Sequence, residues 1–210
     1  MEEQTMLIKA FEVGQLSTNC YIVIDEKTLC CAIIDPGAES GRILNYLAEN
    51  NLKPVCIFLT HGHYDHTTAV PTIRNELHIP TYINKKDVNA EGKHSSMKFD
   101  VDKIDEVWYY ADGDKIEVGG LTFTVMETPG HSEGSVTLIC EDALFTGDTL
   151  FRDSCGRTDF EGGSMEVLLG SLKRICSLEG DYEVYPGHAD YTSLDRERRF
   201  NFYVRRALES

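Results

Sequence analysis

At 210 residues, with 41% hydrophobic and 26% charged residues, the chain is long enough for one well-developed core and is neither repetitive nor of low complexity. A net charge of −15, from 20 basic against 35 acidic residues, weighs against a nucleic-acid partner, because phosphate binding rests on a basic stripe. No apolar run approaches the roughly 20 residues that cross a bilayer, and the acidic start MEEQTMLIKAFEVG lacks the basic and apolar regions of a signal peptide, so no membrane partner and a cytoplasmic location are expected.

In chain order, the branched and aromatic runs at 6–13, 20–24 and 30–35 predict strands. DPG at 35–37 closes the third, and Ile43, Leu44 and Leu47 give residues 39–49 a helical period. An apolar strand at 55–59 leads into a loop holding HGHYDH at 61–66. A short helix through Val70, Ile73 and Leu77 and a strand at 80–83 follow. Residues 85–112 are less regular and polar at first, a pattern open to reading as a mobile flap. Strands return at 115–118, 121–127, 135–140 and 143–146, then a helix at about 164–177 and a strand at 183–185. One last helix is predicted from about 193 to 208, burying Phe200, Phe202, Tyr203, Val204 and Leu208 and exposing its arginines. Strands come in runs with helices interposed in each half, and a strand before LTHGH at 59–63 echoes one before ETPGH at 127–131. Two sheets packed face to face with helices outside are expected, and no linker divides residues 1–210, which read as a single domain.

The chemistry concentrates in IFLTHGHYDHTTAV at 57–70, where His61, His63 and His66 surround Asp65. A surface loop has no need of such density, and a core does not tolerate polar groups without partners. Imidazoles and carboxylates are the ligand set of borderline divalent metals, Zn²⁺ above all. His61 and His63 stand two apart, so in an extended segment both rings grip one ion, while Asp65 and His66 can face a second. His131 in TPGHSEG, Asp148 in FTGDTLF and His188 in YPGHADY each follow apolar strand residues and a turn-forming Gly. His78 and His94 are left as surface or structural residues. Seven cysteines, an odd number with no C-x-x-C, read as reduced thiols and give no Cys-based zinc site.

These motifs (DPG at 35–37, THGHYDH at 60–66, TPGHSEGS at 128–135, FTGDTLF at 145–151 and YPGH at 185–188) resemble those of the metallo-β-lactamase superfamily over almost the whole chain. The resemblance implies an α+β fold, the αββα four-layer sandwich of two mixed sheets, with metals at one edge between them. It implies His61, His63 and His131 on a first metal, Asp65, His66 and His188 on a second, Asp148 bridging the two, and Asp35 orienting the histidine loop. Two divalent ions per chain follow, zinc in the first instance, with iron or manganese accepting the same ligands.

Within the superfamily, Asp148 departs from classical antibiotic hydrolases, and His63 from di-iron redox members that carry Glu there. The segment SCGRTDFEGGS at 154–164 and the ending DRERRFNFYV resemble the short bacterial glyoxalase II-like proteins, the hydroxyacylglutathione hydrolases. The implied activity is hydrolysis of a small anionic thioester, S-2-hydroxyacylglutathione or that of a related thiol, by a metal-bridging hydroxide. Asp65 or the metal-bound water would assist protonation of the leaving thiolate, and Cys155 is read as scaffold rather than as a covalent nucleophile. Arg157 matches a substrate-contacting basic residue; its alternative is an internal salt bridge to Asp159 or Asp153. The helical domain that supplies glutathione-binding residues in full-length glyoxalase II has no counterpart here, which leaves the thiol carrier open. An iron-dependent persulfide dioxygenase using His61, His131 and Asp148, and a lactone hydrolase, are the rival activities. The expected assembly is a monomer or a small homo-oligomer.

Overall fold

The computed structural model describes residues 6–89, 95–101 and 104–209, so His94 lies outside the described residues. Strands Met6–Val13 (β1), Thr18–Asp25 (β2), Cys30–Ile34 (β3), Lys53–Phe58 (β4), Thr81–Ile83 (β5) and Val107–Tyr109 (β6) form one sheet in that order. β1 to β3 are antiparallel and β3 to β6 parallel. Lys115–Val118 (β7), Leu121–Glu127 (β8), Val136–Cys140 (β9) and Ala143–Gly147 (β10) begin the second sheet. After a small hairpin of Leu150–Phe151 (β11) and Ser154–Cys155 (β12), Glu183–Pro186 (β13) and Thr192–Ser193 (β14) complete it. Its order is β14-β13-β10-β9-β8-β7, with β10 and β13 parallel and the rest antiparallel.

Alternation along the strands decides the layers. Every residue of β2 is buried, because Tyr21 and Val23 face the second sheet while Cys20, Ile22 and Ile24 face helices. Between the sheets, Tyr21, Ile34 and Phe58 pack with Phe123, Leu138 and Phe145. Outside the first sheet, Ile43 and Leu47 of Ser40–Glu49 (α1) and Val70 and Ile73 of Val70–Leu77 (α3) cover the other face, the short helix Tyr64–Thr67 (α2) lying before α3. Outside the second, Met165–Cys176 (α4), Leu194–Phe200 (α5) and Phe202–Glu209 (α6) cover Leu144 and Val184. This is the α+β four-layer αββα sandwich, and no helix among the described residues is long and apolar enough to cross a membrane.

Two predicted elements are corrected. HGHYDH is not all loop, since Tyr64–Thr67 closes a helical turn that carries Asp65 and His66. The last helix is two, because the Asn201 side chain accepts from the Tyr203 and Val204 amides and starts a new helix. The break turns Phe200 and Phe202 outward, both 66% exposed, with Leu208 at 44%, while Val204 and Ala207 are buried.

The ending has a second task. Glu197, fully buried, accepts from the Asp153 amide, the Thr192 hydroxyl, Asn201 and Arg196. Asn201 also donates to the Phe151 and Ser154 carbonyls, so α5 and α6 pin the β11–β12 hairpin beside Asp148. Glu197→Ala leaves the Asp153 amide, the Thr192 hydroxyl and the Asn201 side-chain amide without this acceptor, while Arg196 keeps its fork onto Asp153. It is expected to destabilise the fold by about 1–3 kcal/mol, the scale for leaving buried donors unsatisfied. Chemical denaturation followed by circular dichroism measures it, and a loss below about 1 kcal/mol would count against a buried anchor.

Candidate metal centre

Four strand ends converge on one edge of the sandwich. His61, His63 and α2 follow β4, His131 follows β8, Asp148 follows β10 and His188 follows β13. Cross-sheet bonds hold this edge together: the Tyr21 hydroxyl and the Asn19 amide donate to the Pro186 carbonyl, and the Val136 amide to Thr60, while within the first sheet the Tyr110 hydroxyl donates to Leu59. His61, His63 and His131 form one group of ligand atoms within 4.8 Å of one another, and Asp65, His66 and His188 form another. Asp148 lies between them. Its Oδ2 is 3.5 Å from Nε2 of both His131 and His188, and its Oδ1 is 3.5 Å from Nε2 of His66. His78 is exposed at the end of α3, apart from these groups.

Each ring's outer partner fixes its tautomer. Nδ1 of His131 meets the Arg157 carbonyl at 2.7 Å, and Nδ1 of His188 meets the Leu16 carbonyl at 3.0 Å. Nδ1 of His66 meets the Asp35 carboxylate at 3.0 Å. These partners only accept, so each Nδ1 carries a proton, and in the neutral ring each Nε2 turns a lone pair inward. His61 follows the same logic one step removed. The Thr60 hydroxyl donates to Asp35 at 2.6 Å and accepts from His61 Nδ1 at 3.1 Å. Asp35 also accepts from the Thr60 amide at 2.8 Å, so this one buried carboxylate orients both His61 and His66. His63 differs, with Nδ1 2.9 Å from Nε2 of His131.

Four Nε2 lone pairs thus face two carboxylates. Nε2 of His66 and Nε2 of His188 stand only 3.3 Å apart, and both approach Asp65 Oδ2, at 3.4 and 3.2 Å. Nε2 of His61 and Oδ1 of Asp148 are buried without a hydrogen-bond partner. Donors of this kind, crowded and without protons of their own to share, fit two divalent cations.

The charges respond accordingly. Burial, then the neighbouring histidines, hold His61 well below the usual imidazole range, and burial and His131 bring His63 down to about 4. Burial also opposes charge on His66, yet Asp148, Asp35 and Asp65 carry its pKa up to about 9. His188 is raised as well, against burial, by Asp65 and Asp148. Asp65 is depressed despite its burial, by the His188 hydrogen bond and the field of His66. Protons and metal cations therefore compete for the same sites.

A cavity of about 620 Å³ opens onto the cluster, walled by Leu16, Tyr64, Met97, Phe151 and Phe160. Arg157 stands on its rim, its guanidinium forked onto Asp159 by two bonds of 2.6 Å and stacked 4.2 Å above the Phe160 ring. Asp153 pairs with Arg196 instead. Cys155 also lines the cavity, but burial pushes its thiol up to about 11, which leaves little thiolate at neutral pH. Asp87, absent from the sequence reading, is buried behind the histidines and bonded to Gly62, Ser132 and Gly134. Nothing in its own neighbourhood marks it, because the irregular stretch 85–112 gives no period to read.

The profile of the Metallo-beta-lactamase superfamily matches residues 13–188. The chain belongs to that superfamily and is an enzyme of it, with groups of His and Asp side chains that could hold metal ions. It is 31% identical to the hydroxyacylglutathione hydrolase GloC of Haemophilus influenzae, covering 95% of this chain and 98% of the relative. The crystal structure of BLEG-1, a B3 metallo-beta-lactamase, is similar with a TM-score of 0.83 at 31% identity, over 94% of this chain and 99% of that one. TTHA1623, solved in a di-iron-bound form, is similar with a TM-score of 0.78 at 32% identity, over 93% and 99%.

The raised pKa of His66 carries a sign. Without ions its charge stabilises the fold fully below the free value of about 6.5 and is lost as pH rises through about 9. Chelator-treated protein should therefore lose melting temperature across that window, and Zn²⁺ binding at neutral pH should expel about one proton or more. Calorimetric titration in buffers of different ionisation enthalpy counts those protons, and a count of zero would contradict the charge balance described above.

Proposed function

We propose that this protein is a binuclear metallohydrolase that cleaves small-molecule thioesters, S-2-hydroxyacylglutathione or the thioester of a related small thiol. The observation that carries the reading is the convergence of inward-facing Nε2 lone pairs and two carboxylates beneath the cavity. Likeness to a hydroxyacylglutathione hydrolase along nearly the full length of both chains supports the substrate class. His61, His63 and His131 would hold the first ion and Asp65, His66 and His188 the second, with Asp148 shared. Zinc suits these donors, and a similar chain solved with two irons supports iron as an occupant. When bound, the ions supply Lewis acidity, which makes water acidic near neutral pH and polarises an acyl carbonyl.

The chain's own residues do the rest. Asp65, kept ionised and braced by the Thr18 hydroxyl at 3.1 Å, takes a proton from the attacking water and returns it to the leaving thiolate. A thiol with a pKa near ~8.5 needs little more assistance. Asp35 keeps His61 and His66 turned inward through Thr60 and through its own carboxylate. The apolar walls limit water around the acyl group, and Arg157 receives a substrate carboxylate by exchanging it for Asp159. All seven cysteines are free thiols, which supports a reducing cytoplasmic setting.

Purified enzyme should hydrolyse such thioesters, lose the activity to a chelator and regain it with Zn²⁺. Asp148→Ala should empty or weaken both metal sites, and His188→Ala mainly the second. Arg157→Ala should raise KM for a carboxylate-bearing thioester several-fold, because a charged hydrogen-bond partner is lost, and leave a neutral one nearly unchanged. Steady-state kinetics with the two substrates decides the point: equal losses for both, with a lower melting temperature, would make Arg157 scaffold. Turnover of a β-lactam but not of thioesters would overturn the substrate class.

A further inference from the structure

Asp87 stands at the junction of three chain segments. After β5, the Asn84 side chain accepts from the Lys86 amide at 3.0 Å and closes a 3-10 turn over Lys85–Asp87. That turn delivers a carboxylate, 1% exposed, between the loop that follows β4 and the loop that follows β8. Oδ2 accepts from the Gly62 amide at 3.0 Å and the Ser132 hydroxyl at 2.5 Å, and Oδ1 from the Gly134 amide at 2.7 Å. The approach is too close for side chains. A Cβ at Gly62 would lie 2.3 Å from the Asp87 carbonyl oxygen, and one at Gly134 2.8 Å from its carboxyl carbon.

Gly62 separates His61 from His63, and Ser132 follows His131. The two loops come from opposite sheets, and Asp87 bonds to both. We propose that Asp87 is a positioning residue for the three-histidine group: it fixes the spacing of His61, His63 and His131 and so the affinity of the ion they would hold. The inference rests on the ligand assignment proposed above and not on the thioester substrate. The chemistry requires an acceptor-only group, since two N–H donors and one O–H donor point at it. Asparagine has the same shape but turns an NH₂ toward one of those donors. Asp35 serves the other side, bonding His66 directly and His61 through Thr60, so the two carboxylates divide the support of the site. Asp87 bonds to none of Asp65, His66 and His188, and this asymmetry can be measured.

Ion-free wild type, Asp87→Asn and the milder Ser132→Ala would be titrated with Zn²⁺ against a chromophoric chelator, and with Co²⁺ while following its visible absorption. Asp87→Asn is expected to weaken one of two sites about 10–100-fold, the usual effect of losing an outer hydrogen-bond partner of a metal ligand. Ser132→Ala should weaken the same site less, and the second site should stay within about threefold. The loss should persist in a His188→Ala background, where only the three-histidine group is complete, and the Co²⁺ spectrum of that site should change. A lower melting temperature with both affinities unchanged would overturn the inference, as would equal weakening of both sites. If Asp87→Asn does not fold, unchanged affinities in Ser132→Ala overturn it. Wild type that fails to take up two ions overturns the ligand assignment and this inference together.

Discussion

Two carboxylates and four inward imidazole lone pairs cannot share a water-poor edge without positive charge among them. Burying an unpaired ion costs several kcal/mol even after the protein relaxes. Asp65 and Asp148 meet that requirement in the ion-free chain through protons on His66 and His188, which is why those two pKa values rise while that of His61 falls. Much of the surrounding structure serves this one constraint. Backbone carbonyls of Leu16 and Arg157 occupy the outer nitrogens of His188 and His131, so the inner nitrogens are the ones left to take a proton or a cation. The arrangement fits cations, and in the ion-free chain protons on His66 and His188 stand in their place.

The constraint reaches through both sheets. The first sheet supplies His61, His63, Asp65 and His66, and the second supplies His131, Asp148 and His188. Neither half is a site alone, so the inter-sheet layer of Tyr21, Phe58, Phe123 and Phe145 is also what sets the distance between ligand groups. Tyr21 shows the coupling within one residue. Its ring packs against Phe145 and its hydroxyl holds the Pro186 carbonyl, two residues before His188. Packing of the core and geometry of the centre are in this sense one property.

Most of this was legible in the sequence where residue type and period coincide. The longer strands of both sheets read correctly because their apolar runs are continuous or alternate, and the seven residues predicted as ligands do come together. What escaped notice lacks a period. β6, β11, β12 and β14 are two or three residues long, too short for alternation to appear. Asn201 looks like any polar residue in an arginine-rich helix until its side chain caps α6 and reaches the β11–β12 hairpin. Asp87 escaped for a different reason, since its meaning lies in three donors that are 25, 45 and 47 residues away. The one local trace was on the other partners, the small residues Gly62 and Gly134 beside histidines.

Arg157 brings the sequence alternatives and the structure onto common ground. Its pairing with Asp159 had stood against a substrate role, but the two are compatible on energetic grounds. Both side chains are well exposed, at 60% and 64%, so water screens the fork between them and it contributes little to stability. An incoming carboxylate that replaces Asp159 therefore forfeits little. Meanwhile the guanidinium stays stacked on Phe160, whose ring also lies edge-on to His63 at 5.6 Å. Stacking limits the guanidinium's freedom before substrate arrives, which reduces the entropy lost on binding. In a chain of net charge −15, the proposed substrate role of Arg157 would give Asp159 a use of its own, keeping the rim cation occupied and aligned until an anionic substrate displaced it.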